Sequence, residues 1–286
     1  MGLLLDVARD WSLLSLVALA LVLVYKATGV FNLAQGTMML LDAYLIYALS
    51  SATGSPLLGL LLTLAVQVPL GIAIYLMMRR LISRQALWAA TITTIGIGLM
   101  LEAVISYAWK FNAFALPSPL PDSLVHVGGS TSVSVVDLAG IGVALAVCAA
   151  VVLGQRYTRA GLTLRAAGES PLLSSQSGVD VRRLFAAVWC IGLACAALGA
   201  ALYGYRSGTN PSMTAIGLGA IAPAMLGGLD SLGGVFVGAA VAALAQQLAL
   251  RYLGGDTSEF TLFALVLLVL LVEPTGFFGT AQAERA

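Results

Sequence analysis

Apolar runs long enough to cross a bilayer follow one another along nearly the whole chain, and that repetition leaves few folds open. Residues 57–78 hold 22 residues from Leu57 to Met78 without a charge, and residues 86–109, 135–153, 184–205 and 235–250 give further runs. In a hydrocarbon core every backbone N–H and C=O must find its partner inside the protein, so runs of this kind are read as helices. A span needs ~20 apolar residues, so 286 residues leave room for about eight or nine crossings. Only 9% of the chain is charged, against roughly a quarter of a soluble domain. The expected class is therefore all-α, a polytopic helical membrane protein forming a single transmembrane domain over residues 1–286.

Several function classes are excluded by what is missing. The formal net charge is +1, with no basic footprint for nucleic acid. Lys26 and Lys110 are the only lysines, and neither sits in a G-x-x-x-x-G-K-[ST] loop, so the chain does not itself bind ATP in the Walker manner. His126 is the single histidine, which rules out an H-E-x-x-H zinc site, and no metal or cofactor site is expected. Cys148, Cys190 and Cys195 all fall in apolar runs and read as small packing residues. The first apolar run, 11–25, follows acidic residues rather than a basic segment, so no cleavable signal peptide is expected. Energised work by such a chain needs ATP bound by another subunit, or an ion gradient.

Orientation follows from arginine. Of the 14 Lys and Arg residues, eight lie in two places, at 79–84 and 156–183. Short loops rich in Lys and Arg stay in the cytoplasm, which puts the Pro-, Ser- and Gly-rich stretch 112–133 outside. Arg9 between Asp6 and Asp10 leaves the N-terminus undecided, and the C-terminus falls inside if 207–229 crosses fully. The longer arginine loop has its own local order. Ser170 is a good N-cap, Pro171 suits a first helical position, and Gly178 stands where a left-handed stop belongs. The loop, 154–184, is read either as a solvated connector or as a short capped helix offered to a cytosolic partner, with Leu172 and Leu173 to bury in it. Arg165 and Glu169, one turn apart, can pair with each other or with that partner.

Two apolar runs are interrupted in comparable places. Gly29, Asn32, Gln35 and Gly36 break a run that resumes to about Ala52, and Asn210-Pro211, Gly217, Gly219 and Pro223 break residues 207–229. Polar backbone at membrane depth survives only where protein or a wet cavity satisfies it, and paired broken helices point to a midplane pathway between internal repeats. Asn32, Gln35, Gly36, Asn210, Ser212 and Met213 are the candidate pathway residues. Half-helix N-termini there would offer N–H groups and a positive dipole end to a carboxylate. The plainer alternatives are a polar loop between the first two spans, and Gly and Pro used for packing alone. Asp42, Glu102 and Asp230 adjoin apolar runs and are candidates by default, although no proton relay is expected from them. Small residues at Gly192, Ala196, Gly199 and Ala200, and the G-x-x-x-G face of Gly234 and Gly238, suit close helix contact.

The stretch G-V-F-N-L-A-Q-G-T-M-M-L-L-D-A-Y at 29–44 resembles the signature of membrane permeases from ABC importers of branched-chain amino acids, in particular the first of the two related permeases. So do A-M-L-G-G-L-D-S-L-G-G at 224–234, E-P-T-G-F-F-G at 273–279, and the Glu169-to-Gly178 spacing of the arginine loop. The chain departs from that pattern at Thr37, where an acid is common, and at Asp42, where Gly is common. The resemblance covers residues from about Trp11 to Gly279. It implies a non-enzymatic subunit in the bacterial inner membrane, paired with a second permease and served by a periplasmic or surface-tethered binding protein. Two ATP-binding cassette subunits would dock on its cytoplasmic loops and bind the ATP. It also implies a coupling role for Arg165, Gly168, Glu169, Ser170, Leu172, Leu173 and Gly178. A passive channel for small polar solutes is the competing reading, since Asn32-Leu33-Ala34 and Asn210-Pro211-Ser212 faintly resemble paired Asn-Pro-Ala half-helices. An ion-coupled secondary transporter is another, although it would usually carry more intramembrane carboxylates than Glu102.

Overall fold

The computed structural model describes residues 2–83, 86–121, 123–126, 132–254, 258–273 and 275–279. Its architecture is a helical bundle built around its first helix. That helix, α1 (Gly2–Thr28), is apolar on all sides through its middle; Leu16, Leu19, Leu21 and Val22 are completely buried. A helix apolar all round belongs in the centre of a protein or bundle, and α1 packs against α5 (Val135–Tyr157), α8 (Val181–Ser207), α10 (Ile221–Gly227) and α11 (Leu232–Tyr252). Small residues let these helices close in. A Cβ placed on Gly199 would come 2.6 Å from Val17 Cγ2, and one on Gly238 would come 2.2 Å from the Pro223 carbonyl oxygen. Both contacts fulfil the close packing that the small residues of α8 and the Gly234/Gly238 face predict.

Around that centre stand α2 (Gln35–Thr53), α3 (Pro56–Ser83), α4 (Leu87–Trp109) and α12 (Ser258–Val272). The helix α3 continues through Pro69. The outward faces of α3, α4, α5 and α12 are apolar and exposed, with Leu61, Ile92, Leu99, Leu145 and Leu271 among the residues that show it. Six helices among the described residues are long and apolar enough to cross a membrane: α1, α3, α4, α5, α8 and α11. The shorter apolar pieces are α12 and the joined pair α9 (Met213–Gly219) and α10, while α2 has 19 residues. The bundle is thus a multi-pass membrane fold, with six long spans among the described residues and shorter apolar helices beside them.

The two ends of the bundle differ. One carries a small antiparallel hairpin, β1 (Leu124–His126) with β2 (Ser132–Ser134), in register Val125 opposite Val133. Phe114, from the stretch before this hairpin, bridges Thr209. The start of α1 lies at this same end. Arg9 pairs with Asp137 at the head of α5 at 2.6 Å, Arg206 near the end of α8 meets the same carboxylate at 2.6 Å, and Asp10 accepts from Gln247 of α11 at 2.6 Å. The N-terminal end that charge counting left undecided therefore sits with the hairpin. The opposite end carries α6 (Arg159–Glu169) and α7 (Pro171–Gln176). The segment after Thr209 runs from the hairpin end to this one, where Phe277 and Phe278 donate backbone bonds to the carbonyls of Leu226 and Gly227. Of the basic signal at 79–84, Arg84 lies outside the described residues.

Candidate functional site

The first interruption leaves α1 at Thr28, whose hydroxyl turns back to the Val24 carbonyl at 2.8 Å, and bends at Gly29, φ +70°. Residues 29–34 are not helical, yet Val30, Asn32 and Ala34 are almost fully buried. Their backbone is satisfied from a neighbouring helix. Leu33 N–H donates to Thr94 Oγ1 at 3.0 Å and Phe31 N–H to Thr91 Oγ1 at 3.4 Å, both from α4. The Asn32 side chain closes the turn locally, its Oδ1 accepting from Ala34 N–H at 3.2 Å while its Nδ2 donates to Gln35 Oε1 at 3.0 Å. Gln35 is 2% exposed, and its Nε2 has no hydrogen-bond partner among the described residues. So α2 begins, without a side-chain cap, on a buried polar pair.

The second interruption is built differently. The chain leaves α8 at Gly208, φ +68°, and Thr209 is pinned to Phe114 by two bonds, Thr209 N–H to the Phe114 carbonyl at 2.8 Å and Phe114 N–H to Thr209 Oγ1 at 2.9 Å. Ser212, exposed, hydrogen-bonds Asn210, which is half-buried; Met213 is buried at the start of α9. The Ser212 hydroxyl does not cap α9.

The two interruptions meet through backbone rather than through their asparagines. A Cβ on Gly36 would fall 2.1 Å from the Thr214 carbonyl oxygen, and one on Gly217 would fall 2.6 Å from the Gly36 Cα. Gly36 and Met213 are thereby brought to one helix crossing, α2 over α9, beside the Asn32–Gln35 pair. Asn210 and Ser212 form a separate group nearer the hairpin end.

One polar pair in α2 escapes local reading. Asp42, 1% exposed, accepts from Gln67 Nε2 of α3 at 2.7 Å, and Asp42 lies seven residues on from Gln35, on the same helix face. Asp42 Oδ2 and Gln67 Oε1 are buried without partners among the described residues. The signal for it was Gln67, the one amide in the run 57–78. Glu102, by contrast, is exposed on the outer face of α4, and Asp230 lies in the turn between α10 and α11.

At the other end, the arginine loop folds into two helices. Thr158 caps α6 by accepting from Gly161 N–H at 3.1 Å, and Ser170 caps α7 by accepting from Leu173 N–H at 3.4 Å, with Pro171 at the first position. Gly178, past the end of α7, has φ +84°. The first of these helices was not foreseen; its inward face is Gly161, Leu164 and Ala167. Leu172 and Leu173 are exposed at 67% and 63%, and Glu169 is exposed beside them. Arg165 lines a cavity with Lys26, Gln155, Arg156 and Asp230. Gly168 touches α1 itself: a Cβ there would come 2.8 Å from the Lys26 carbonyl oxygen.

Residues 3–272 match the family model described as the permease component of branched-chain amino acid transport systems. The chain belongs to this permease family. It is 29% identical to the high-affinity branched-chain amino acid transport system permease protein LivH of Escherichia coli (strain K12), over 95% of this chain and 92% of that one. It is 25% identical to the corresponding permease BraD of Pseudomonas aeruginosa, over 95% and 93%. Among solved structures, PsaBC from Streptococcus pneumoniae in complex with Fab superposes with a TM-score of 0.51 at 14% identity, covering 97% of this chain and 94% of that chain. That likeness concerns the fold alone. In this family member, the stretch 29–34, the break at 208–212 with the short α9–α10 pair, and the α6–α7 pair depart from plain spanning helices.

Proposed function

We propose that this permease forms the transmembrane pathway of an ATP-driven ABC importer for branched-chain or related amino acids in a bacterial inner membrane. ATP is bound and hydrolysed by two separate ATPase subunits, a second related permease completes the channel, and a binding protein delivers substrate at the hairpin end. The observation that carries the reading is the buried interruption at 29–34, where Asn32 and Gln35 sit 1% and 2% exposed at the crossing of α2 with α9. Non-helical backbone at such depth is tolerated where it is buried in protein or lines a water-filled cavity, and on this reading the paired amides stand on the route. The same reading makes Asn32 and Gln35 the residues that close the route at rest.

Nine crossings accommodate the described elements: α1, α2, α3, α4, α5, α8, the α9–α10 pair, α11 and α12. With the arginine loop in the cytosol, α1 starts outside and α12 returns the chain inside. Coupling then has a short physical path. An ATPase holding exposed Leu172 and Leu173 of α7 moves α6, whose Gly168 bears on the Lys26 carbonyl, only a few residues before α1 breaks at Gly29. Glu169 and Ser170 stand at the α6–α7 joint, and Gly178 lets the chain turn back towards α8.

Reconstitution in proteoliposomes with ATPase and binding-protein subunits tests the reading. Uptake of leucine, isoleucine or valine should require ATP and persist when ion gradients are collapsed. Asn32→Leu should abolish that uptake while the complex still assembles. Uptake driven by an ion gradient alone, or full transport by Asn32→Leu, would contradict it.

A further inference from the structure

The cavity beside α6 has no assigned role in transport. Its volume is about 290 Å³, and Lys26, Val152, Gln155, Arg156, Arg165, Asp230 and the turn Ser231–Gly233 contribute to its wall along with Phe278. Three cationic side chains face it against one carboxylate, and Asp230 is within electrostatic reach of Lys26. That leaves the lining with a net positive charge. Two further features favour an anion with oxygen acceptors. The Gln155 Nε2 is buried with no hydrogen-bond partner among the described residues. The first turn of α11, a 21-residue helix, contributes Leu232 and Gly233 to the wall, and a helix N-terminus favours negative charge.

The surroundings decide between a soluble anion and an amphiphile. The cavity lies at the end of α5, and the outer face of that helix is an exposed apolar stripe of Leu138, Leu145 and Leu153, spaced seven and eight residues apart. Leu153 lies two residues before Gln155 and three before Arg156, and Phe278 at the rim is 52% exposed. A polar, cationic cavity on the same helix as an exposed apolar stripe fits a molecule with an anionic head and acyl tails. Basic pockets between membrane helices on the cytoplasmic side recognise anionic lipid headgroups in this way.

We propose that this cavity binds the phosphate of an anionic phospholipid from the cytoplasmic leaflet, its acyl chains lying along Leu153 and Leu145. Arg156 and Arg165 hold the phosphate oxygens, and Gln155 supplies an amide donor. Arg165 belongs to α6, so an occupied site ties α6 to the ends of α1 and α5 and steadies the element that touches Lys26. The site rests on the cytosolic placement of α6 proposed above. Its test reads lipid retention rather than transport, so the two stand or fall separately.

The full-length chain in its assembled transporter is released from membranes containing phosphatidylglycerol and phosphatidylcholine, and bound lipid is counted by native mass spectrometry. The wild type should retain phosphatidylglycerol in preference to phosphatidylcholine. Arg156→Gln and Arg165→Gln should each weaken that retention about fivefold, the worth of one basic residue near an anionic surface. Arg183→Gln, whose side chain pairs with Asp180 away from the cavity, should leave it unchanged. Excess inorganic phosphate should not displace the lipid. Equal retention of both lipids, unchanged retention in both cavity variants, or displacement of the lipid by inorganic phosphate would each overturn the proposal.

Discussion

The two interrupted helices look alike in sequence, each an asparagine and glycines within an apolar run, and they fold into different things. In residues 29–34 Val30, Asn32 and Ala34 are buried and the backbone is fastened by threonines of α4, with Asn32 bonded to Gln35. Residues 208–212 are fastened to Phe114, in the stretch before the hairpin, through Thr209, and then leave Ser212 exposed and Asn210 half-buried. The difference lies in which neighbour supplies hydrogen bonds. A buried break draws its backbone hydrogen bonds from a fixed scaffold, whereas a break at the bundle end can use solvent. That contrast is why the proposed closure is placed at the first break rather than at the second.

Substitutions can break or sharpen that contrast. The largest effect is expected at Gly36, where both interruptions touch. Gly36→Leu puts a side chain where a Cβ alone would already be 2.1 Å from the Thr214 carbonyl. Overpacking of about 1–3 kcal/mol should lower both the yield of folded protein and its thermal midpoint, and abolish uptake. A Gly36→Leu protein with wild-type stability would show that α2 and α9 are not in contact.

Next comes a matched pair. Thr94→Val removes the hydroxyl that accepts from Leu33 N–H, leaving a buried donor unsatisfied at a cost of about 1–3 kcal/mol. Asn210→Leu changes a half-buried side chain whose bond runs only to Ser212, and such sites usually stay within about 0.5 kcal/mol. Thermal unfolding in detergent should show a clear drop for the first and little change for the second. Equal effects would erase the distinction between the buried and exposed breaks.

Much of this was legible where the chemistry is local. Ser170, Pro171 and Gly178 announce the ends of α7 because a cap, a fixed φ and a left-handed stop are properties of single residues. Glycine and asparagine at 29–36 announce the first break for the same reason. What stayed hidden depends on residues far along the chain. The run 11–25 predicts a short span, yet α1 extends to 27 residues because Arg9 finds Asp137 and Asp10 finds Gln247. The acid at Asp42 is visible, but its partner Gln67 lies on another helix. The helix α6 was read as loop since its few apolar residues face α1 and α5 rather than forming a run. The depth of Asn32 relative to Asn210 was equally unreadable, being set by Thr91 and Thr94 of α4.

The central claim, that the Asn32–Gln35 pair closes a route that ATP turnover opens, is tested most directly at Gln35. With Cys148, Cys190 and Cys195 replaced by alanine, Gln35→Cys is assembled with its ATPase and exposed to a small water-soluble thiol reagent. Gln35 is 2% exposed, so modification should be slow at rest. During ATP turnover it should quicken about tenfold or more, as a minor open state becomes a major one, and bound substrate should slow it again. Equal rates with and without ATP, or rapid modification at rest, would contradict the account.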